Sequence, residues 1–207
     1  MIRVGLTGGI AAGKSTVAAR LAYDGAKVVD YDRLTHQVLG PGGAGVDPVL
    51  DRFGGDCADA EGGVDRSVLA AKVFGGSGKD QARHDLDAIV HPLVYDLAGQ
   101  VEEPWLHRPL VVVHDVPLLA EVGDSIPFAF DHVIAVEAPD ELRIARMVNG
   151  RHMTRAEAVA RIGSQTSQET RRHMADLIVD GSEPIEQMFE FIDRVYVRLR
   201  SEEDRSR

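Results

Sequence analysis

Apolar residues fall along this chain in short, nearly unbroken runs rather than in strict alternation. Runs at 2–7, 27–30, 110–114, 132–136 and 177–179 read as buried strands. Most are separated by stretches of helical spacing. Strands apolar on both faces and linked by helices predict an α/β fold whose parallel sheet is covered on both sides. After the first strand, 8–13 is a loop and 15–22 a helix, with Gly25 placed to stop it. Residues 31–103 hold no convincing strand, and helical patches at 66–74 and 80–101 make this a largely helical insertion between the second and third strands. Its Gly-rich pieces, 40–45 and 75–78, are turns too short to separate domains.

Thr154 and Glu157 form a capping-box pair, which predicts a helix running toward Gln168 and carrying Arg155 and Arg161. Pro184 stands near the start of a last helix, where Ile185, Met188, Phe189, Ile192, Val195 and Leu199 recur at spacings of three and four. That helix should serve packing. The charged end, 201–207, reads as a flexible tail.

Composition narrows the picture. With 207 residues, 44% of them apolar, the chain suits one well-buried core. A single cysteine, Cys57, excludes an intrachain disulfide and supplies too few ligands for a cysteine-based zinc site. No run approaches the roughly 18 apolar residues of a membrane span, and the first ten residues lack a signal-peptide layout. A soluble, unprocessed, cytoplasmic protein is expected. The net charge of −10 argues against nucleic acid or anionic lipid as a partner. One segment runs the other way: 143–172 holds seven arginines against Glu157 and Glu169, a local +5 that leaves −15 on the remainder. Such a stretch is commonly a solvated helical face and needs a partner motif to mean more.

That motif stands at Gly8-Gly9-Ile10-Ala11-Ala12-Gly13-Lys14-Ser15, a match to G-x-x-x-x-G-K-[ST] between a strand and a helix. Only four lysines occur in the chain, so a chance match is improbable. Glycines permit a turn tight enough for consecutive N–H groups to face phosphate oxygens, and the helix starting near Lys14 adds its positive end. Gly9, Ala11, Ala12, Gly13, Lys14, Ser15 and Thr16 are the expected ATP-binding residues. Lys14 would meet the β and γ phosphates, Ser15 would offer a hydroxyl to Mg²⁺, and Thr16 would donate to the α-phosphate.

A phosphate loop serves kinases, motor ATPases and GTPase switches alike. The guanine-reading Asn-Lys-x-Asp is absent, since the only asparagine, Asn149, precedes Gly150. The size is small for a motor ATPase. In a small-molecule kinase the acceptor hydroxyl meets the γ-phosphate over the C-terminal edge of the sheet. The second strand ends in Asp30-Tyr31-Asp32 and the third in His114-Asp115. Asp32 is placed to take or orient the acceptor proton, and Asp115 to hold Mg²⁺ through water, although an Asp at a strand end also serves as a helix cap. Arg146, Arg151 and Arg155 would ride on a helical flap that stabilises charge on the transferring group and excludes water.

These residues resemble the dephospho-coenzyme A kinase family. The resemblance covers about residues 2–182 and rests on LTGGIAAGKST at 6–16, VVDYD at 28–32, QVLGPG at 37–42, IVHPLV at 89–94, DVPLLAEVG at 115–123, and the MT-x-x-EA-x-x-RI-x-x-Q stretch ending at Gln165. It implies ATP-dependent phosphorylation of the ribose 3′-hydroxyl of dephospho-coenzyme A, the last step of coenzyme A synthesis. It also implies a three-layer, five-stranded parallel phosphate-loop core like that of nucleoside monophosphate kinases. On this reading 1–30, 104–138 and 173–200 are core, 31–103 a helical substrate-binding insertion and 139–172 an arginine-rich lid, all within one kinase domain. Lys14, Asp32 and Arg146 carry over as catalytic residues, and Arg151 and Arg155 as further lid candidates. His91 would bind substrate in the insertion, although a histidine before proline is also a structural cap. A kinase of another small hydroxyl or nucleotide acceptor is the alternative. Four positions depart from the family pattern: Gly150 stands where an arginine is usual, Gly181 and Glu183 replace an asparagine and a glycine after the last strand, and Ala120 replaces a bulkier apolar residue.

Overall fold

The computed structural model describes residues 1–75 and 78–205. The chain forms two compact units, one of residues 1–30 with 104–207 and the other of residues 31–103. The first unit is built on β1 (Ile2–Gly8), α1 (Lys14–Tyr23) and β2 (Lys27–Asp30). The second unit follows, with α2 (Tyr31–Leu39), α3 (Val46–Phe53), α4 (Arg66–Phe74) and α5 (Lys79–Glu102). The chain returns to the first unit through β3 (Val111–Asp115), α6 (Leu119–Val122), β4 (His132–Glu137), α7 (Asp140–Arg151), α8 (Arg155–Gly163), α9 (Gln168–Met174), β5 (Leu177–Asp180) and α10 (Ile185–Arg205).

The five strands form one parallel sheet in the order β2-β3-β1-β4-β5, so the expected parallel α/β architecture is present. β1 lies at the centre and pairs with β3 on one side and β4 on the other. The chain changes direction across the sheet there, which makes the C-terminal end of β1 the natural ligand crevice. Residues of β1 point alternately to the two faces. Ile2, Val4 and Leu6 share one core with Val17 and Leu21 of α1 and with Met188, Ile192, Val195 and Leu199 of α10. On the other face Gly5 leaves the room that Leu119 and Phe130 fill, for a Cβ there would come within 2.9 Å of Leu119 Cδ2. Both faces are therefore dry, which is why these strands show runs rather than alternation.

Two sequence expectations shift. The helix opened by the Thr154–Glu157 capping box is α8, and it stops at Gly163 instead of reaching Gln168. Ser167 caps a separate helix, accepting the Thr170 N–H at 3.1 Å, and between the helices Gln165 and Thr166 are half-buried while Ser164 and Ser167 stay exposed. At the other end α10 continues through Arg205, so the chain remains helical past Ser201. Glu203 is buried there and its Oε1 accepts from the Met1 amino group at 3.2 Å, a tie that no charge count reveals. Residues 206–207 of the expected tail, and 76–77 of the second Gly-rich turn, lie outside the described residues.

In the second unit α5 packs against α2, α3 and α4, and Arg52 of α3 pairs with Asp85 of α5. Ala58 and Val64 form an isolated antiparallel bridge.

Leu6 is fully buried between both neighbours of the central strand. Leu6→Ala is expected to lower the unfolding free energy by about 2–5 kcal/mol, read as a lower urea midpoint at unchanged slope.

Candidate active site

β1 ends at Gly8 and α1 begins at Lys14, so the predicted loop sits in the strand-to-helix setting that the motif needs. It is pressed against the end of β4: Gly9 N–H donates to Val136 O at 3.3 Å, and a Cβ on Gly8 would stand 2.5 Å from that same oxygen. Gly13 turns through φ +114° and Ala11 through φ +59°. Glycine adopts such angles freely, and Ala11 is held there by its surroundings. The N–H groups of Ala12 and Thr16 close local turns onto Gly9 O and Gly13 O, both at 3.0 Å. Among the described residues, the N–H groups of Ala11, Gly13, Lys14 and Ser15 have no protein acceptor. Open N–H donors at a helix start are what an anion-binding concavity requires.

Lys14 Nζ pairs with Asp115 Oδ1 across the β1–β3 edge, where Leu6 and Asp115 are in register. Ser15 is exposed in the first turn of α1. A hydroxyl and a carboxylate at one sheet edge are hard oxygen donors, the kind that Mg²⁺ takes alongside phosphate oxygens and water. Among the described residues no group of three or more histidines, cysteines or carboxylates forms a protein-only metal cage.

Of the lid arginines expected from the sequence, Arg146 reaches the loop. Its Nη1 donates to Ala11 O and Ala12 O, each at 3.1 Å, and its Nη2 to Gly181 O at 2.7 Å. One guanidinium therefore ties the phosphate loop to the turn after β5. Gly181 is closely held there, since its Cβ would fall 1.9 Å from Ala12 O. Arg151, the last residue of α7, is exposed. Arg155 Nη2 is engaged by Glu141 Oε1 at 2.6 Å, at the surface.

Two arginines that charge counting treated as equals are buried. Arg171 donates from Nε and Nη2 to the two carboxylate oxygens of Glu137, at 2.6 and 2.9 Å. Arg143, 2% exposed, donates from Nε to Ile10 O at 2.8 Å and from Nη1 to Asp140 at 2.9 Å. Burial, and then the nearby Arg171, depress the Arg143 pKa below the usual arginine value. Gln165 Oε1 accepts from Ile10 N–H at 2.8 Å and from Arg143 Nη2 at 3.2 Å. Apolar contacts add to this: Ile10 and Ala11 pack on Ile144, Met147 and Ala158 of α7 and α8. Sequence reasoning missed Arg143, Glu137 and Arg171. Spacing cannot say which arginine in a basic run turns inward, and Gln165 appeared only as the end of a motif.

In the second unit Asp32 is exposed in the first turn of α2, two residues beyond the end of β2, and its carbonyl accepts from His36 Nδ1 at 2.7 Å. His91 lies inside α5, so it is no helix cap. Its Nε2 is 3.6 Å from Asp87 Oδ1. The rings of Tyr31 and His91 both meet Tyr95, with centroids 6.4 and 5.8 Å away. The Tyr95 hydroxyl is buried with no hydrogen-bond partner among the described residues.

A dephospho-CoA kinase family model matches residues 2–187. A dephospho-CoA kinase of Bifidobacterium longum is 47% identical over 196 residues, covering 95% of each chain. One from Cutibacterium acnes is 42% identical over 96% of this chain and 85% of its own. A crystal structure from Thermus thermophilus superposes with a TM-score of 0.78 at 30% identity, covering 96% of this chain and 97% of that one. A Campylobacter jejuni dephospho-CoA kinase shares the fold, with a TM-score of 0.62 at 21% identity and coverage of 95% and 96%. With its phosphate loop, its parallel sheet and a match running nearly end to end, this chain belongs to the dephospho-CoA kinase family.

Proposed function

We propose that this chain transfers the γ-phosphoryl group of ATP to the ribose 3′-hydroxyl of dephospho-coenzyme A, giving coenzyme A and ADP and completing coenzyme A synthesis. The family match over residues 2–187 carries this reading, because a phosphate loop by itself leaves the acceptor open. No helix among the described residues is long and apolar enough to cross a membrane, in keeping with a cytoplasmic enzyme acting on two small polyanions.

The acceptor oxygen attacks the γ-phosphorus in line, the bond to the β-bridging oxygen breaks, and the hydroxyl proton leaves to a base. Asp32 is the base in this reading. Lys14 holds the β and γ phosphates once it releases Asp115, and the N–H groups of Ala11, Gly13, Lys14 and Ser15 bind the phosphate oxygens, with Gly9, Ala12 and Thr16 shaping the loop. Arg146 stabilises charge spreading over the equatorial oxygens, and its anchorage on Ala11 O and Ala12 O keeps it beside them. Arg151 and Arg155 are the further candidates on the lid, the latter after giving up Glu141. His91 in the insertion 31–103 is the substrate-side candidate. Ser15 and, through water, Asp115 would hold Mg²⁺, which when bound neutralises charge on the β and γ phosphates.

Dephospho-coenzyme A is expected to stimulate ADP release from Mg·ATP, whereas nucleoside monophosphates and acceptor-free mixtures should not. Turnover with a monophosphate alone would move the reading to another small-acceptor kinase. Asp32→Asn should lower kcat about 10²-fold or more with little change in either KM, and a change confined to KM would make Asp32 a binding residue. Lys14→Ala should abolish turnover. Arg146→Ala should slow single-turnover phosphoryl transfer about 10²-fold, and a wild-type rate would refute its transition-state role.

A further inference from the structure

The outer wall of the phosphate loop is held by side chains as tightly as its inner wall is left open. Both polar groups of the Ile10 peptide units are occupied: Gln165 Oε1 accepts the N–H at 2.8 Å and Arg143 Nε donates to the carbonyl at 2.8 Å. The same Gln165 oxygen takes Arg143 Nη2 at 3.2 Å, so the three groups close a ring, and two donors on one oxygen fix which way the amide points. The Arg143 guanidinium lies flat against residue 9, where a Cβ would be 2.7 Å from its Cζ, so only glycine lets it reach Ile10.

Gln165 is itself pinned on both sides. Its own N–H donates to Ile162 O at 3.2 Å, closing the end of α8. Thr166 N–H donates to Glu121 Oε1 at 2.8 Å, and Thr166 O accepts from Arg171 Nη1. Arg171 is clamped by Glu137, the residue after Val136, whose carbonyl accepts Gly9 N–H. A closed path thus runs from the end of β4 through Glu137, Arg171, Thr166 and Gln165 to Ile10, and back through Gly9 to the end of β4.

We propose that Gln165 is a positioning residue for nucleotide binding: by holding the Ile10 N–H outward it aims the unpartnered donors that begin at Ala11. This rests on the loop being a phosphate site, as read above. Without that acceptor the Gly9–Ile10 peptide is held only by the Ala12 N–H on Gly9 O, the restraint on Ala11 at φ +59° weakens, and the following N–H groups converge less well on one anion. Arg143 shares the task through the Ile10 carbonyl. Neither residue needs to touch the nucleotide.

The test is isothermal titration of Mg·ATP and Mg·ADP into the full chain, with steady-state kinetics in both substrates. Gln165→Leu should weaken nucleotide binding about tenfold and raise KM for ATP in step, while KM for dephospho-coenzyme A stays within about twofold. Gln165→Glu keeps Oε1 as acceptor and suits Arg143, so it should bring nucleotide affinity back to within about threefold of wild type. Should Gln165→Leu fail to fold, Gln165→Asn withdraws the acceptor by one methylene and carries the same expectation. Wild-type nucleotide affinity in Gln165→Leu, or equal impairment in Gln165→Leu and Gln165→Glu, would overturn the proposal. Failure of the wild-type chain to bind nucleotide would instead remove the phosphate-loop reading beneath it.

Discussion

Two hydrogen bonds between Glu137 and Arg171, sealed from solvent at the end of β4, decide where the arginine-bearing helices of this protein can be. Taking both charges out of water costs several kcal/mol per ion before their attraction repays it, so the pair adds little net stability. What it supplies is placement. A guanidinium fork that must meet both carboxylate oxygens tolerates one geometry, and that geometry carries the segment after α8 to the outside of the phosphate loop. The loop in turn leans on Val136, the neighbour of Glu137: Gly9 N–H donates to its carbonyl, and Gly8 leaves that carbonyl the room a Cβ would take. Sheet, loop and helix pair are therefore fixed from a single strand end.

The same geometry divides the positive charge of 143–172 into distinct jobs. Arg143 and Arg171 are spent on internal structure, and Arg155 is matched by Glu141 at the surface. The donors of Arg146 bridge the loop, at Ala11 and Ala12, to Gly181 after β5. A local charge of +5 thus overstates the field that an incoming nucleotide meets, while understating how rigidly the loop is framed. The small apolar cluster joining Ile10 and Ala11 to Ile144, Met147 and Ala158 makes the helix pair and the loop apex one packed body.

Much of the fold was legible from local pattern. The five strands came from apolar runs because both sheet faces are buried, by α1 and α10 on one side and by Leu119 and Phe130 on the other. The phosphate loop came from a motif whose glycines, lysine and serine each answer a local requirement of backbone or charge. Where pattern failed, a long-range contact had intervened. α8 stops at Gly163, after which Gln165 is held by Ile10 and Thr166 by Glu121 and Arg171, and α10 persists past Ser201 where Glu203 meets the amino group of Met1. Ile10, Glu121 and Met1 all lie outside any window that helical spacing can read.

By itself the sequence determined the α/β class, the position and residues of the phosphate loop, and, through its ordered motifs, the dephospho-CoA kinase family. These depend on residue type and short spacing, which act within a turn or a strand. Tertiary structure alone decided which arginines turn inward, that Gln165 grips Ile10, and that Gly181 must lack a side chain beside Ala12. Of these contacts, those of Ile10 with Arg143 and Gln165 and of Gly181 with Ala12 span more than a hundred positions, while that of Arg171 with Glu137 spans 34. Their energies come from burial and hydrogen-bond geometry, which exist only once the sheet has brought the ends of β1, β4 and β5 together.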